Sequence, residues 1–192
     1  MVRIMTKNKL IKLLSVLLAA AAIFSFSGCD EELLEAFFSE ENVDVDSSNE
    51  NREGPYEVVK VVDGDTIKLM IDGEKKNVRL IGVDTPESVH PDASKNVPEG
   101  TLASDHTKAL VGDNMLYIEY GVEREDHYGR PLCYVYLPDG TMLNEQLLID
   151  GYADVLFVGS KNSMYKDHFY ELRDEARDAG RGLWSTGVFD KD

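Results

Sequence analysis

Cysteine is scarce in this 192-residue chain: only Cys29 and Cys133 are present, with no Cys-x-x-Cys pair. That excludes a cysteine-built zinc fold and allows at most one disulfide. His-Glu-x-x-His, Gly-x-Ser-x-Gly and a phosphate-cradling glycine loop are also missing, which removes zinc-peptidase, serine-hydrolase and P-loop chemistry. The histidines, His90, His106, His127 and His168, are scattered, so no histidine zinc site is expected. Basic residues are few: 20 Lys and Arg stand against 36 Asp and Glu, a formal charge of -16. The longest apolar stretch, residues 13–24, falls short of the roughly 20 residues that a membrane span needs.

That stretch follows Arg3, Lys7, Lys9 and Lys12 and runs into "SFSGC", the order of a signal peptide. Gly28-Cys29 resembles a bacterial lipobox, in which the cysteine is acylated and begins the mature chain; an ordinary secretory signal with a chance cysteine is the alternative. The expectation is therefore a leader over residues 1–28 and an extracytoplasmic protein held to the cell membrane through lipidated Cys29. Cys133 then has no disulfide partner, and within "PLCYVYL" it reads as a small buried apolar residue. Residues 29–54 read as a solvated acidic tether, with ten acids against Arg52 alone between Asp30 and Glu53.

Residues 55–187 are expected to be one folded domain, with 188–192 a tail. "YEVVKVVDGDTIKLMIDGEKKNVRLIGV" contains three strand-like runs separated by Asp-Gly turns, and Ile67, Leu69 and Ile71 alternate. "MLYIEYGV" and "PLCYVYLP" are two further strands, the second closed by Pro138-Asp139-Gly140. Helices are predicted over about 101–111, over "MLNEQLLID" and over 163–179, with Gly112, Gly151 and Gly180 as their stops. Five strands and three helices in this order suit an α+β, mainly β fold, a small antiparallel barrel with packed helices. Periodicity leaves open whether that barrel is of the oligonucleotide-binding kind.

Three patches carry chemistry: "VVDGDT" with Asp63 and Asp65, "VRLIGVDTPE" with Arg79, Asp84 and Glu87, and "DHYGRP" with Arg130. Singly, each reads as a turn, a strand end or a surface charge. Together they hold what phosphodiester hydrolysis requires. Hard carboxylate oxygens can bind Ca²⁺ or Mg²⁺ against a phosphate oxygen, guanidinium forks can grip phosphate, and a further carboxylate can activate water. Strand alternation places Arg79 on a face with Ile81 and Val83, so it needs an anionic partner, either a carboxylate of this chain or the substrate.

"DGDT", "RLIGVDTPE" and "YGR", in that order and separation, resemble the thermonuclease (micrococcal nuclease) family, with similarity running from about Val58 to Trp184. The resemblance implies a five-stranded oligonucleotide-binding (OB-fold) barrel with three helices, and a calcium-dependent endonuclease that cuts DNA and RNA to 3′-phosphate ends. It implies that Asp65 and Asp84 bind Ca²⁺ by side chain and Thr85 by its carbonyl, with Asp63 in support. Glu87 would act on the water, and Arg79 and Arg130 on the scissile phosphate. Tyr128 matches a residue that contacts the substrate phosphate, and Phe157 matches the first of two base-stacking tyrosines. Gly159 stands at the second, and His127 where lysine is common.

The domain from Pro55 onward has 15 basic and 26 acidic residues, a charge of -11. Affinity for nucleic acid comes largely from basic groups, so a local positive pocket of Lys75, Lys76, Arg79, Arg130 and Ca²⁺ is expected, or operation in screening salt. Two other functions fit part of the pattern: a non-catalytic barrel that binds nucleic acid or protein, and a phosphodiesterase acting on short nucleotides. No protein partner is implied, and a monomer is expected.

Overall fold

The computed structural model describes residues 51–190, apart from 90, 91, 93, 95, 159 and 160. The leader, Cys29 and the tether up to residue 50 lie outside the described residues. Five strands form a closed barrel in the order β1-β2-β3-β5-β4: β1 Glu53–Asp63, β2 Thr66–Ile71, β3 Glu74–Leu80, β4 Leu116–Glu125 and β5 Pro131–Tyr136. Helix α1, Pro98–Val111, joins β3 to β4; α2, Leu143–Ile149, and α3, Lys166–Asp178, follow β5, and a 3-10 turn spans Gly182–Thr186. Among the described residues no helix is long and apolar enough to cross a membrane.

The alternation in β2 lines the barrel interior: Ile67, Leu69 and Ile71 are 0–1% exposed. Fully burying each such side chain contributes about 1.5–3 kcal/mol. Asp72 and Gly73 adopt φ of 52° and 80°, the left-handed pair that a two-residue hairpin needs, and this sets the register Ile71↔Glu74 through Thr66↔Arg79. β3 and β5 pair in parallel, Arg79↔Leu132 and Leu80↔Cys133, which brings the two ends of the chemistry-bearing sequence side by side. All six residues of β5 are buried, because the barrel interior takes one face and helices take the other. On that outer side Tyr134, Tyr165 and Phe169 pack edge and face, with Tyr134 and Tyr165 centroids 4.8 Å apart. Cys133 is fully buried, and burial pushes its thiol well above the usual range, so it is an inert apolar residue.

Several boundaries differ from those expected. α1 starts at Pro98, three residues early, because proline at the first helical position lacks only an N–H that would have no partner there. β4 continues to Glu125, past an irregularity after Tyr120, where Glu125 pairs Pro131. β1 already includes Glu53 and Gly54, since Glu53 pairs Ile118 of β4 and Arg52 stacks 3.6 Å over the Tyr136 ring. At the other end Phe189 packs on Trp184 at 4.6 Å.

Asn144 ties these parts together. Its buried side chain accepts from Val135 N–H at 2.9 Å and donates to Ile81 C=O at 2.8 Å, linking α2 to β5 and to the chain leaving β3. Replacing Asn144 by alanine leaves a buried donor and a buried acceptor unpaired. The expected cost is about 2–4 kcal/mol in urea unfolding, with an unchanged m-value.

Candidate active site

The site begins with Arg79 at the end of β3. The register Thr66↔Arg79 puts Asp65 beside it, where Leu80 N–H donates to the Asp65 carbonyl at 2.9 Å. The strand does not continue as expected: Gly82 takes φ 79°, the alternation stops, and Arg79 does not share a strand face with Val83. A side chain at Gly82 would meet the Phe169 ring at 2.6 Å. The turn lets the buried guanidinium fold back, donating to Val83 C=O at 2.8 Å and Leu80 C=O at 3.3 Å. Its remaining reach goes to two carboxylates, Asp65 at 2.9 Å and Asp84 at 3.1 Å. In this state the anionic partner of Arg79 is therefore the chain itself.

Asp65 is buried, and its second contact fixes the next element: its Oδ2 accepts Thr85 N–H at 3.1 Å, while Oδ1 accepts the Thr66 hydroxyl at 2.9 Å. Thr85 lies directly over Gly64, where an added Cβ would come within 2.6 Å of the threonine hydroxyl. Only glycine fits there. Asp84 is held by a two-way backbone bridge to Asp154, both bonds 2.9 Å, and Asp154 in turn accepts Arg173 from α3 at 2.8 Å. Glu87 is exposed at the end of this segment, and a cavity of about 240 Å³ lies beside Asp84 and Glu87 with Phe189 also lining it.

Arg130 arrives from the other strand. The parallel register places it two residues before Leu132, the partner of Arg79, so the two arginine Cα atoms are roughly 8 Å apart. Its loop is built on Asp126, whose Oδ1 accepts both Tyr128 N–H and Arg130 N–H at 2.9 Å and whose Oδ2 accepts Arg130 Nε at 2.7 Å. Burial alone would raise the Asp126 carboxyl, but these donors hold it below its ordinary value. The Arg130 side chain stays 32% exposed, with the Nε edge engaged, leaving the Nη edge as the one suited to fork onto phosphate.

Of the other expected site residues, Tyr128 has the Arg130 guanidinium 5.5 Å from its ring centroid and Phe157 comes beside Gly82, whereas the two lysines lie apart. Lys75 and Lys76 sit at the hairpin end of β3, roughly 13 and 10 Å along the strand from Arg79, and Lys76 pairs Glu74 at 3.7 Å. They do not join a pocket with Arg79. Phe157 is partly buried and stacks on Phe169 at 6.0 Å. Tyr128 is 74% exposed next to the His127 ring. Sequence reasoning passed over Gly64, Ser88, Asp126, Asp154 and Thr107, whose hydroxyl donates to Gly64 C=O at 2.7 Å. Of these only Asp126 carried a local signal, its spacing ahead of Tyr-Gly-Arg.

The donor set suits a hard divalent cation. Asp63, Asp65, Asp84 and Glu87 set four carboxylates against Arg79 and Arg130, an excess of negative charge that would repel phosphate without a cation. The Thr85 hydroxyl is buried without a hydrogen-bond partner, on the residue that follows Asp84 and whose N–H bonds Asp65. Among the described residues no three His, Cys, Asp or Glu side chains converge into a protein-only cage. An ion here would take Asp65, Asp84 and the Thr85 carbonyl, and fill its shell with water and substrate oxygens.

A closed five-stranded barrel that carries an arginine-bridged carboxylate pair, with a second arginine in the loop entering β5, is an OB-like fold whose groups suit a phosphoryl ester. The profile described as staphylococcal nuclease homologue matches residues 77–186. The chain is 39% identical to a thermonuclease of Staphylococcus hyicus over 139 residues, 72% of this chain and 80% of that one. It is 39% identical to endonuclease YncB of Bacillus subtilis (strain 168) over 131 residues, 68% of this chain and 61% of that one. The chain belongs to the staphylococcal nuclease homologue family, and it is a phosphodiester-hydrolysing nuclease.

The Asp126 cradle has a pH signature. Its carboxyl is held below the ordinary 3.8, so its stabilising contribution is present above that value and is lost as pH falls through the lower, folded-state value. Asp126→Asn is expected to lower unfolding free energy by about 2 kcal/mol at pH 7. The difference between the two proteins should shrink as pH is taken progressively below 3.8, as read by denaturant titration at neutral and acid pH.

Proposed function

We propose that this nuclease is a calcium-dependent endonuclease that cuts DNA and RNA to 3′-phosphate ends outside the cytoplasm, held to the membrane through lipidated Cys29 and acting as a monomer. The observation that carries the reading is the buried Arg79 shared by Asp65 and Asp84, with Glu87 and Arg130 on the segments next to it. Ca²⁺, when bound by Asp65, Asp84 and the Thr85 carbonyl, supplies positive charge against a phosphate oxygen. Glu87 accepts a proton from the attacking water and orients it opposite the leaving oxygen. Arg79 and Arg130 bind the non-bridging oxygens and stabilise the charge that grows on them. Tyr128, exposed beside Arg130, can add a hydroxyl to the phosphate contacts.

The leader pattern of residues 1–28 and the Gly28-Cys29 junction support the location. The domain charge of -11 favours a local mode of binding, in which the ion and two arginines do what a basic surface does in other nucleases.

Incubating the protein with DNA in Ca²⁺ or in a chelator tests the reading. Cleavage is expected only with Ca²⁺, with Glu87→Gln slower by about 10²- to 10⁴-fold and Arg130→Ala by about 10²- to 10³-fold. Cleavage that persists in chelator, or unchanged rates in both variants, refutes it. A dinucleotide ester cut faster than long DNA would instead identify a phosphodiesterase of short nucleotides. Because few basic groups displace counterions, raising salt from 50 to 200 mM should cost less than about 10-fold in activity, where a protein with many phosphate contacts loses about 10³-fold or more in affinity.

A further inference from the structure

We propose that Asp63 and Ser88 form a positioning pair that sets the place of Glu87, and that Asp63 acts through this contact and not as a metal ligand. The proposal rests on the reading of Glu87 as the group that activates water.

Asp63 is the last residue of β1 and is buried. Its Oδ1 accepts the Ser88 hydroxyl at 2.7 Å and Gly64 N–H at 2.9 Å, and its Oδ2 faces Ser88 N–H at 3.4 Å. Both oxygens therefore meet hydrogens. Donors aimed at a carboxylate occupy the directions from which a cation would approach, so this geometry suits an anchor and not a ligand. Asp65, two residues on, is turned differently: it meets Arg79 and Thr85, on the Asp84 side of the cluster.

Ser88 directly follows Glu87, and its partner lies 25 residues earlier in the chain. At the same peptide unit, the Glu87 carbonyl accepts Val97 N–H at 3.0 Å. The first turn of α1 presses on the same carbonyl, where a Cβ at Gly100 would fall within 2.3 Å of it. The peptide bond that follows Glu87 is thus clamped on its N–H side by Asp63 through Ser88 and on its C=O side by α1, while Glu87 itself remains exposed. A general base must sit within hydrogen-bond reach of its water, and a misplacement of about 1 Å can cost about 10²-fold in rate.

The test is a double-mutant cycle on the intact protein with DNA as substrate and Ca²⁺ binding measured by calorimetry. Ser88→Ala is expected to lower kcat by about 10- to 100-fold with KM and Ca²⁺ affinity within about twofold of wild type. Ser88→Thr, which keeps the hydroxyl, should restore the rate. In a Glu87→Gln background Ser88→Ala should cost less than about twofold more, because there is no base left to place. Asp63→Asn keeps an acceptor for Ser88 and should leave Ca²⁺ affinity within about twofold. Equal losses from Ser88→Ala in both backgrounds overturn the proposal, as does a Ca²⁺ affinity weakened about 10-fold or more by Asp63→Asn. Those results would leave calcium-dependent cleavage by the wild type intact. Absence of that cleavage, or full activity of Glu87→Gln, overturns the functional reading and the positioning pair with it.

Discussion

Everything at this site turns on one buried cation, the Arg79 guanidinium. It is 5% exposed and would be prohibitively expensive there alone; two chain carbonyls and the carboxylates of Asp65 and Asp84 make it tolerable. Removing Asp65, the buried partner, is expected to cost about 3–5 kcal/mol, so the fold and the chemistry draw on the same contacts. The consequence is electrostatic as well. Arg79 neutralises part of the carboxylate charge in this state, and a hard divalent cation held by the same carboxylates would release its fork toward phosphate.

The rest of the site is arranged so that short backbone segments can approach that centre. Gly64 leaves room for Thr85, Gly100 lets α1 touch the carbonyl of Glu87, and Thr107 of α1 holds the Gly64 carbonyl. Behind Asp84 stands Asp154, itself held by Arg173 of α3. Helices α1 and α3 thus each brace one segment of the site. An excess of acid over the whole domain does not contradict nuclease chemistry when the charges that matter are within a few ångströms of the phosphate, since salt screens the remainder within about 8–10 Å.

Much of this was legible in advance because it is local. The Ile67, Leu69, Ile71 alternation, the Asp72-Gly73 turn and the glycines after each helix depend on neighbours in the chain, and the five strands and three helices appear where those signals stand. Asp65, Arg79 and Asp84 are in contact, so of the two anionic partners the residues left open for Arg79, a carboxylate of the chain or the substrate, the carboxylates are the ones seen here. The alternation carried past Leu80 failed at Gly82, because a positive φ at one residue ends the two-residue period. Lys75 and Lys76 looked like neighbours of Arg79 in sequence, yet an extended strand carries them to its far end.

The sequence by itself determined the elements, the turn positions and the identity of the reactive groups, since propensity, turn chemistry and hydrophobic period act over a few residues. Which groups meet was decided by the tertiary structure. Parallel pairing of β3 with β5 carries the loop with Arg130 to the Arg79 end of the sheet, Ser88 reaches back to Asp63, and Asn144 joins α2 to β5 and to the chain leaving β3. Those contacts close long loops, so no local pattern records them; they form only when burial of the whole barrel outweighs the entropy of closing the chain.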